Sequence, residues 1–343
     1  MPEPYTEACS PAAFRTPHTT ELAYPPASTR MRFSHDELLA APVFVLGAAR
    51  SGTSLLFHLL CSSRGTWSAY RELHGLYEWD IGLEPNPARG ESNVLTAEQA
   101  TPEIAERIRR TLFRAVSNRE LGDFPSDWFP RTGIWLGRVA RVSNWALHRP
   151  VRVIEKNPKH CFRVAFLRAV FPDARFVFLY RHALPNIHSL LEGWRSRRYQ
   201  TYAMAGTSAS VPRWSFDLPP DWPAWAHEDV ARICAHQWVG YNRALLDAER
   251  GLPPEARTRC YYERLVEHPL PETRRIFEFL DLPLSGRALR DGILPPALNT
   301  LSAPNADKWR ASEAVLNTLA PIYRPTLHEI GYSDAITAPV ATP

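Results

Sequence analysis

The hydrophobic pattern of this chain alternates between short apolar runs and longer amphipathic stretches. The apolar runs 43–46 and 175–180 (RFVFLY) are typical of strands buried on both faces of a parallel sheet. Weaker runs predict further strands at 66–72, 151–155 and 258–262. Helical spacing predicts helices at 53–61, 101–118, 134–148, 160–171, 184–198, 227–250, 269–280 and 311–330. This alternation predicts right-handed βαβ units and an α/β fold, with ligands at the carboxyl ends of the strands.

The domain organisation predicted from these elements is a single domain, 33–334, with two insertions. Residues 1–32 are rich in Pro, Thr and Ala and are predicted to form a loosely ordered arm, and 335–343 a C-terminal tail. A helical insertion is expected at 95–148. A second insertion, 199–226, is rich in Trp and Pro with few charges. Two interpretations of it stay open, a lid that forms the acceptor site or a long loop packed by its aromatic side chains.

Composition narrows the class of protein. A chain of 343 residues with 45% hydrophobic residues can bury a large core. Its net charge of +4 suits a polyanionic ligand but is too small and dispersed for nucleic-acid binding. The five cysteines are scattered without CxxC spacing, which argues against a disulfide framework or a zinc site. Without a signal-like start or a run long enough to span a membrane, a cytoplasmic enzyme is expected.

Candidate chemistry begins with the stretch PVFVLGAARSGTSLLFHLL, residues 42–60. Gly47 and Gly52 have the spacing of a Walker A loop, in which backbone amides at a helix N-terminus hold phosphate. A nucleoside triphosphatase has Lys where this chain has Thr53, and the positive charge stands instead at Arg50. A guanidinium and hydroxyls can hold an anionic group without metal. The pattern therefore predicts a P-loop-like three-layer domain with phosphate chemistry other than triphosphate hydrolysis.

This loop resembles the 5′-phosphosulfate loop of sulfotransferases that use 3′-phosphoadenosine 5′-phosphosulfate (PAPS). Three further segments resemble the family in its order: Arg181 with Ser189, the stretch YYERLVEHP at 261–269, and 307–310 (DKWR). The resemblance implies PAPS as sulfuryl donor and adenosine 3′,5′-bisphosphate (PAP) as product, without a metal. The residues it implies for cofactor binding are Arg50, Ser51, Gly52, Thr53, Ser54, Arg181, Ser189, Tyr262, Lys308 and Arg310. Trp309 is expected in the core.

The general base also follows from the resemblance. Cytosolic sulfotransferases have a His shortly after a strand Lys, and the stretch 155–158 (EKNP) lacks it. The tyrosylprotein sulfotransferases and related bacterial enzymes instead use a Glu about twenty residues after the loop Arg, and Glu72 stands 22 residues after Arg50 (72 − 50). Glu72 is thus implied as base, with Lys156 on the bridging oxygen and sulfuryl group and Arg50 on the 5′-phosphate side. His74 is the alternative base, on the same face if the strand continues.

The expected function is sulfuryl transfer from PAPS to a hydroxyl of a small-molecule, glycan or lipid acceptor. A P-loop kinase or NTPase would need Lys at position 53 and a Walker B acid. A non-catalytic adenosine-bisphosphate-binding protein would be suggested by loss of both Glu72 and Lys156, which are present. No nucleic-acid partner is expected, and a homodimer is left open. The aromatic residues that fit either an apolar acceptor or a packed lid are Trp194, Trp214, Trp222 and Trp225; Ser302 matches the family loosely as a donor to the leaving phosphate.

Overall fold

The structure is a computed structural model. It describes residues 39–63, 66–68, 72–117, 152–284, 287–295, 301 and 305–339. The predicted arm at 1–32, the predicted helix at 134–148 and Ser302 lie outside the described residues. The division into arm, domain, insertions and tail therefore stays a prediction.

Parallel strands form the centre of the fold. Within the described ranges, five strands pair in the order β2-β3-β1-β4-β7, and every neighbouring pair is parallel. A separate antiparallel pair, β5-β6, lies inside the aromatic insertion. The strands are β1 Val43–Gly47, β2 Thr66–Trp67, β3 Arg152–Lys156, β4 Arg175–Tyr180, β5 Gln200–Ala203, β6 Arg213–Ser215 and β7 Arg257–Tyr261.

Helices follow the strands as the amphipathic stretches predict. The α-helices in the described residues are α1 Thr53–Cys61, α2 Pro102–Ser117, α3 Val164–Val170, α4 Ala183–Ser196, α5 Trp222–Trp225, α6 Val230–Arg250, α7 Tyr262–Glu267, α8 Pro269–Phe279, α9 Arg287–Arg290, α10 Glu313–Thr318 and α11 Ala320–Ile330. A π-helical turn covers Leu76–Asp80, and 3-10 turns cover Pro87–Arg89, Ala97–Gln99, Pro158–Phe162, Pro254–Ala256 and Lys308–Ser312.

The two faces of the sheet bury separate cores. Alternate residues of β1 and β4 point to opposite faces: Phe44 and Phe178 belong to the core shared with α3, α4, α6 and α11. Val45 and Val177 belong to the core shared with α1 and α8. Because both faces are covered, these strands are apolar throughout, as the sequence pattern indicates. The predicted α/β class, with a central parallel sheet between helical layers, is confirmed.

Three predicted elements differ in detail. The strand predicted at 66–72 is described as strand only over Thr66–Trp67, and residue 74 already belongs to a helical turn. The last predicted helix, 311–330, is a 3-10 turn followed by α10 and α11, which Leu319 separates. The insertion 199–226, for which no regular element was predicted, contains β5, β6 and α5.

Candidate active site

The phosphate loop joins β1 to α1 through residues 48–52. The Ser51 amide donates to the Ala48 carbonyl at 3.0 Å, and the Gly52 carbonyl accepts from Leu55 and Leu56 in the first turn of α1. Gly52 has φ +103°, and a Cβ placed there would lie 2.4 Å from Cδ2 of Tyr262. Glycine is therefore needed for both its backbone conformation and the close approach of Tyr262. The first amides of α1 have no intrahelical acceptor, so this turn is suited to an anion.

An arginine pair lies beside the loop. Arg181 follows β4, and its Nη1 donates to the Arg50 carbonyl at 2.9 Å. The Arg181 guanidinium carbon lies 4.4 Å from the ring centroid of Tyr262. Arg50 Nε donates to Ser189 Oγ, on α4, at 3.3 Å. The structure therefore brings together the predicted cofactor residues Arg50, Arg181, Ser189 and Tyr262, which come from three separate segments of the chain.

Arg50 lies in an environment that disfavours its charge. It adopts φ +68°, in the left-handed region. Burial is the largest effect and lowers the pKa of Arg50; Tyr199 opposes this shift, and the nearby Arg181 guanidinium lowers the pKa further. Two guanidinium groups held this close repel each other, and a bound polyanion would relieve that repulsion.

Unsatisfied buried atoms mark the same place. The buried side-chain atoms of the described residues that have no hydrogen-bond partner include three beside the loop, Ser51 Oγ, Arg181 Nε and Asn186 Oδ1. A buried polar atom left without a partner costs on the order of 1–3 kcal/mol, so such atoms seldom cluster unless a ligand satisfies them. The arginine pair, the hydroxyls and the helix N-terminus together fit a nucleotide that carries phosphates on both its 3′ and 5′ sides.

A carboxylate–lysine pair stands at the same edge of the sheet. Lys156 ends β3 and forms an ion pair with Glu72. The Lys156 side chain is 9% exposed and that of Glu72 is 37% exposed. Desolvation alone would raise the pKa of Glu72, but the charge and hydrogen bond of Lys156, with smaller effects of His74 and Lys159, lower it below its ordinary value. Glu72 is therefore ionised at neutral pH, as a proton acceptor must be.

The alternative base, His74, does not occupy the predicted strand position. It lies in a helical turn that leads into the π-helical turn, so the expectation that it shares a strand face with Glu72 is wrong. Its ring packs edge-on against Trp79, with centroids 5.4 Å apart. Burial, with Lys159, lowers the pKa of His74, so the imidazole is neutral at pH 7. A neutral His74 keeps a proton-accepting nitrogen and stays an alternative for experiment.

Buried polar networks support this half of the site. Glu78 accepts from Lys159 Nζ at 2.7 Å and pairs with Arg163, while Asn93 connects Glu78 to the hydroxyl of Tyr202. All of these charges are inside the protein and paired. Glu78, Arg163 and Lys159 therefore form a buried cluster of paired charges, and Lys159 adds to the effect of Lys156 on the pKa of Glu72.

Two further titratable groups belong to the buried interior. His160 is fully buried and lies 3.0 Å from Glu155, whose other oxygen accepts from Tyr77. Asp217, in the aromatic insertion, accepts from the Tyr241 hydroxyl at 2.7 Å. Burial raises the pKa of Asp217 to about 6 although Lys159 opposes the shift.

The C-terminal cofactor residues have carboxylate partners. Lys308 Nζ lies 2.5 Å from Glu192, which stands three residues after Ser189 on α4. Arg310 pairs with Asp307 at 3.0 Å and lies over the Trp309 ring. Trp309 is only 6% exposed, so its expected place in the core is confirmed. Lys308 is thus near the arginine pair, whereas the described contacts of Arg310 stay within its own turn.

The tryptophans near the aromatic insertion pack together rather than line an open surface. Trp194, Trp214, Trp222 and Trp225 are each at most 7% exposed. The ring of Trp214 contacts the other three, with centroids 5.2 to 5.7 Å apart. Of the two interpretations of these side chains, the structure supports core packing.

Two residues at the loop were not found from the sequence. Asn186 Nδ2 donates to the Ala49 carbonyl at 2.9 Å. Tyr199 accepts from Arg50 Nη1 at 2.9 Å, and its ring lies 5.0 Å from the guanidinium carbon. Asn186 lies between Arg181 and Ser189, on the predicted helix. This position could have indicated that the Asn186 side chain points toward the loop. No comparable sequence signal connects Tyr199 with Arg50, which lies 149 residues away.

The comparison with known families decides the class of protein. The model of the Sulfotransferase family matches residues 42–286, more than two thirds of the chain and all the described strands. The chain belongs to the sulfotransferase family. The predicted family and the predicted enzyme class are thereby confirmed.

Similar proteins agree with this assignment. This sulfotransferase is 25% identical to protein-tyrosine sulfotransferase A of Caenorhabditis elegans over 141 residues, which are 41% of this chain and 30% of the relative. It is 26% identical to a putative protein-tyrosine sulfotransferase of the same organism over 139 residues, 40% of this chain and 43% of the relative. The matches thus span less than half the length of these curated relatives. The solved sulfotransferase domain from the curacin biosynthetic pathway shares the fold, with TM-score 0.50 and 18% identity over 86% of this chain and 99% of that domain.

The described residues contain neither a membrane-spanning helix nor a metal-binding cluster. None of the helices there has the length and apolar character needed to cross a bilayer. In the same part of the sulfotransferase, no group of three or more His, Cys, Asp or Glu side chains is placed to hold a metal ion.

Proposed function

We propose that this sulfotransferase moves the sulfuryl group of PAPS to a hydroxyl of a small-molecule, glycan or lipid acceptor and releases PAP. The observation that carries the proposal is the position of the Glu72–Lys156 pair. It stands at the same strand ends as the arginine pair, because β3, β1 and β4 are adjacent and parallel. A proton acceptor and an anion-binding surface therefore lie at one edge of the sheet.

The donor is held by the residues around the loop. Arg181 and Ser189 bind the 3′-phosphate, since a guanidinium and a hydroxyl supply charge-assisted hydrogen bonds. Arg50 and the loop residues Ser51, Gly52, Thr53 and Ser54 bind the 5′ side through the start of α1. Tyr262, next to both Gly52 and Arg181, contacts the adenine. Lys308 is a further ligand of the 3′-phosphate once it leaves Glu192, and Arg310 a more distant one.

Glu72 and Lys156 carry out the proton and charge transfers. When bound, PAPS supplies an activated sulfuryl group joined to a good leaving phosphate. Glu72 accepts the proton of the acceptor hydroxyl as the new oxygen–sulfur bond forms and the bond from sulfur to the phosphate oxygen breaks. Lys156 stabilises the negative charge left on that oxygen. Before transfer, the same lysine keeps Glu72 ionised.

A cytoplasmic location agrees with the reduced state of the cysteines. The four described ones, Cys61, Cys161, Cys234 and Cys260, are all buried thiols without a disulfide. Such thiols are usual where the surroundings are reducing. A cytoplasmic small-molecule acceptor is therefore preferred in this proposal over a secreted protein substrate.

Binding and transfer assays test the proposal. Isothermal titration should show PAP binding in EDTA, with weaker binding of ATP in the presence of Mg²⁺. Radiolabelled sulfate should then move from PAPS to members of a panel of phenols, sugars and lipid alcohols, with a tyrosine peptide included because the relatives are named as protein-tyrosine sulfotransferases. Tighter Mg²⁺-dependent ATP binding would favour a kinase instead. PAP binding without transfer to any panel member would refute the proposed acceptor classes.

A further inference from the structure

Tyr199 makes two different contacts with the loop arginine. Its hydroxyl accepts from Arg50 Nη1 at 2.9 Å, and its ring face lies 5.0 Å from the guanidinium carbon. Arg50 Nε donates at the same time to Ser189 Oγ. Two hydroxyls from different segments thus fix the direction of one guanidinium, which is otherwise a side chain with large rotamer freedom.

The ring of Tyr199 is itself held by the aromatic insertion. It stacks on Phe216 with centroids 5.0 Å apart and planes 20° apart. The Phe216 amide donates to the Tyr199 carbonyl at 2.9 Å. Phe216 has φ +64°, an uncommon conformation for an aromatic residue, and such strain persists only where surrounding contacts impose it.

Glycine on α4 leaves room for this stack. A Cβ at Gly193 would lie 2.3 Å from Cζ of Phe216 and 3.2 Å from Cδ2 of Tyr199. The helix that carries Ser189 therefore packs directly against the two rings one turn later. A continuous set of contacts runs from Gly193 through Phe216 and Tyr199 to Arg50.

We propose that Tyr199 is a positioning residue of the donor site, which holds the Arg50 guanidinium beside Ser189 in the orientation that receives a phosphate of the nucleotide. This inference rests on the proposed function, because it assumes that Arg50 meets a donor phosphate. It makes the aromatic insertion part of the donor site, in addition to any part that the insertion has in acceptor binding. Nucleotide binding becomes tighter because the Arg50 side chain is already ordered before the nucleotide arrives.

The test compares variants by PAP affinity, measured by isothermal titration, with melting temperature as a check on folding. Tyr199→Phe removes the hydroxyl and keeps the ring, and about a five- to tenfold weaker PAP affinity is expected from the loss of a hydrogen bond to a charged group. Phe216→Leu loosens the ring without touching the hydroxyl and should weaken PAP binding about threefold. Tyr202→Phe is the matched control, since that hydroxyl in the same insertion accepts from Asn93 and not from Arg50.

A double-mutant cycle separates positioning from general support. In an Arg50→Ala background, Tyr199→Phe should change PAP affinity by less than about twofold, because the group on which Tyr199 acts is gone. An equal loss in both backgrounds, an unchanged or tighter affinity of Tyr199→Phe, or a loss in Tyr202→Phe as large as in Tyr199→Phe would overturn the inference. Failure of the unsubstituted protein to bind PAP is a separate outcome: it refutes the proposed function, and the inference with it.

Discussion

Replacing Glu72 by Gln removes the proposed base while changing the shape of the side chain very little. The amide oxygen can still accept from Lys156, so the site keeps its form but loses a group that takes up a proton. Loss of a general base typically costs a factor of about 10² to 10⁴ in turnover. We expect kcat of Glu72→Gln to fall within that range and PAP affinity to change by less than about threefold.

The structure also bounds the effect on stability. Because the Glu72 side chain is 37% exposed, its ion pair contributes at most about 1 kcal/mol to the free energy of unfolding. For a protein of 343 residues that corresponds to a melting temperature lower by at most about 2 °C. A loss of turnover much larger than this small loss of stability can explain would therefore show that Glu72 acts in the chemical step and not in folding.

The assay measures initial rates of radiolabelled sulfate transfer as a function of pH, beside PAP titrations. In the unsubstituted enzyme the pKa of Glu72 lies below its ordinary value of 4.5, so the midpoint of the acid-side decline in activity, where the carboxylate becomes protonated, should lie below pH 4.5. Glu84→Gln, at an exposed position of the following segment, is the charge-matched control and should retain full activity.

Near-normal turnover of Glu72→Gln would show that another group accepts the proton. His74→Ala would then be the decisive variant, with a rate loss of the size predicted for Glu72. A fall in PAP affinity as large as the fall in turnover would instead assign Glu72 to donor binding, since an interaction with the donor ground state affects both.

Three further predictions concern the donor loop and the interior. Arg181→Ala should weaken PAP binding at least about tenfold but leave binding of adenosine 5′-phosphate, which lacks the 3′-phosphate, within about threefold; equal losses for both ligands would place the 3′-phosphate elsewhere. Gly52→Ala should reduce PAP affinity and melting temperature more than Gly82→Ala, because both have positive φ but only the new Cβ at 52 would collide with Tyr262; equal melting temperatures would contradict this reasoning. The pKa of Asp217 is raised to about 6 from 3.8, so folding binds its proton more tightly and the free energy of unfolding should fall as pH rises through this window, by up to about 3 kcal/mol. In urea unfolding at pH 4.5 and 7, Asp217→Asn should reduce the difference in the free energy of unfolding between the two pH values. The same difference as in the unsubstituted protein would refute this prediction.

The local hydrophobic pattern was sufficient to predict those segments that have only one possible environment in the fold. β1 and β4 are buried on both faces, so their unbroken apolar runs identify them, and the loop between β1 and α1 follows from glycine spacing. Ligands were predicted at the carboxyl ends of the parallel strands, and Arg181 follows the end of β4. Its 2.9 Å bond to the Arg50 carbonyl agrees with that expectation.

The sequence did not predict the structure at positions where the local conformation depends on residues far away in the chain. The strand predicted at 66–72 does not continue to His74, which lies in a helical turn, so the period of two does not apply to His74. Lys308 was predicted as a cofactor residue, but its pairing with Glu192 depends on how the C-terminal turn packs against α4. Tyr199 was hidden because its partner lies in another segment and an aromatic-rich stretch offers many candidates.

The two halves of the site differ in the charge repulsion that they contain. Lys156 and Lys159 each pair with a carboxylate, Glu72 and Glu78. On the other side, Arg181 donates to the Arg50 carbonyl; burial lowers the pKa of Arg50, and the charge of Arg181 lowers it further, while Tyr199 and Glu192 oppose the shift. A bound polyanion would relieve the repulsion between the two arginines, whereas an uncharged hydroxyl suits the side where the lysines are paired. This asymmetry would fix the direction of the donor, with its phosphates at the arginines and its transferred group toward Lys156 and Glu72.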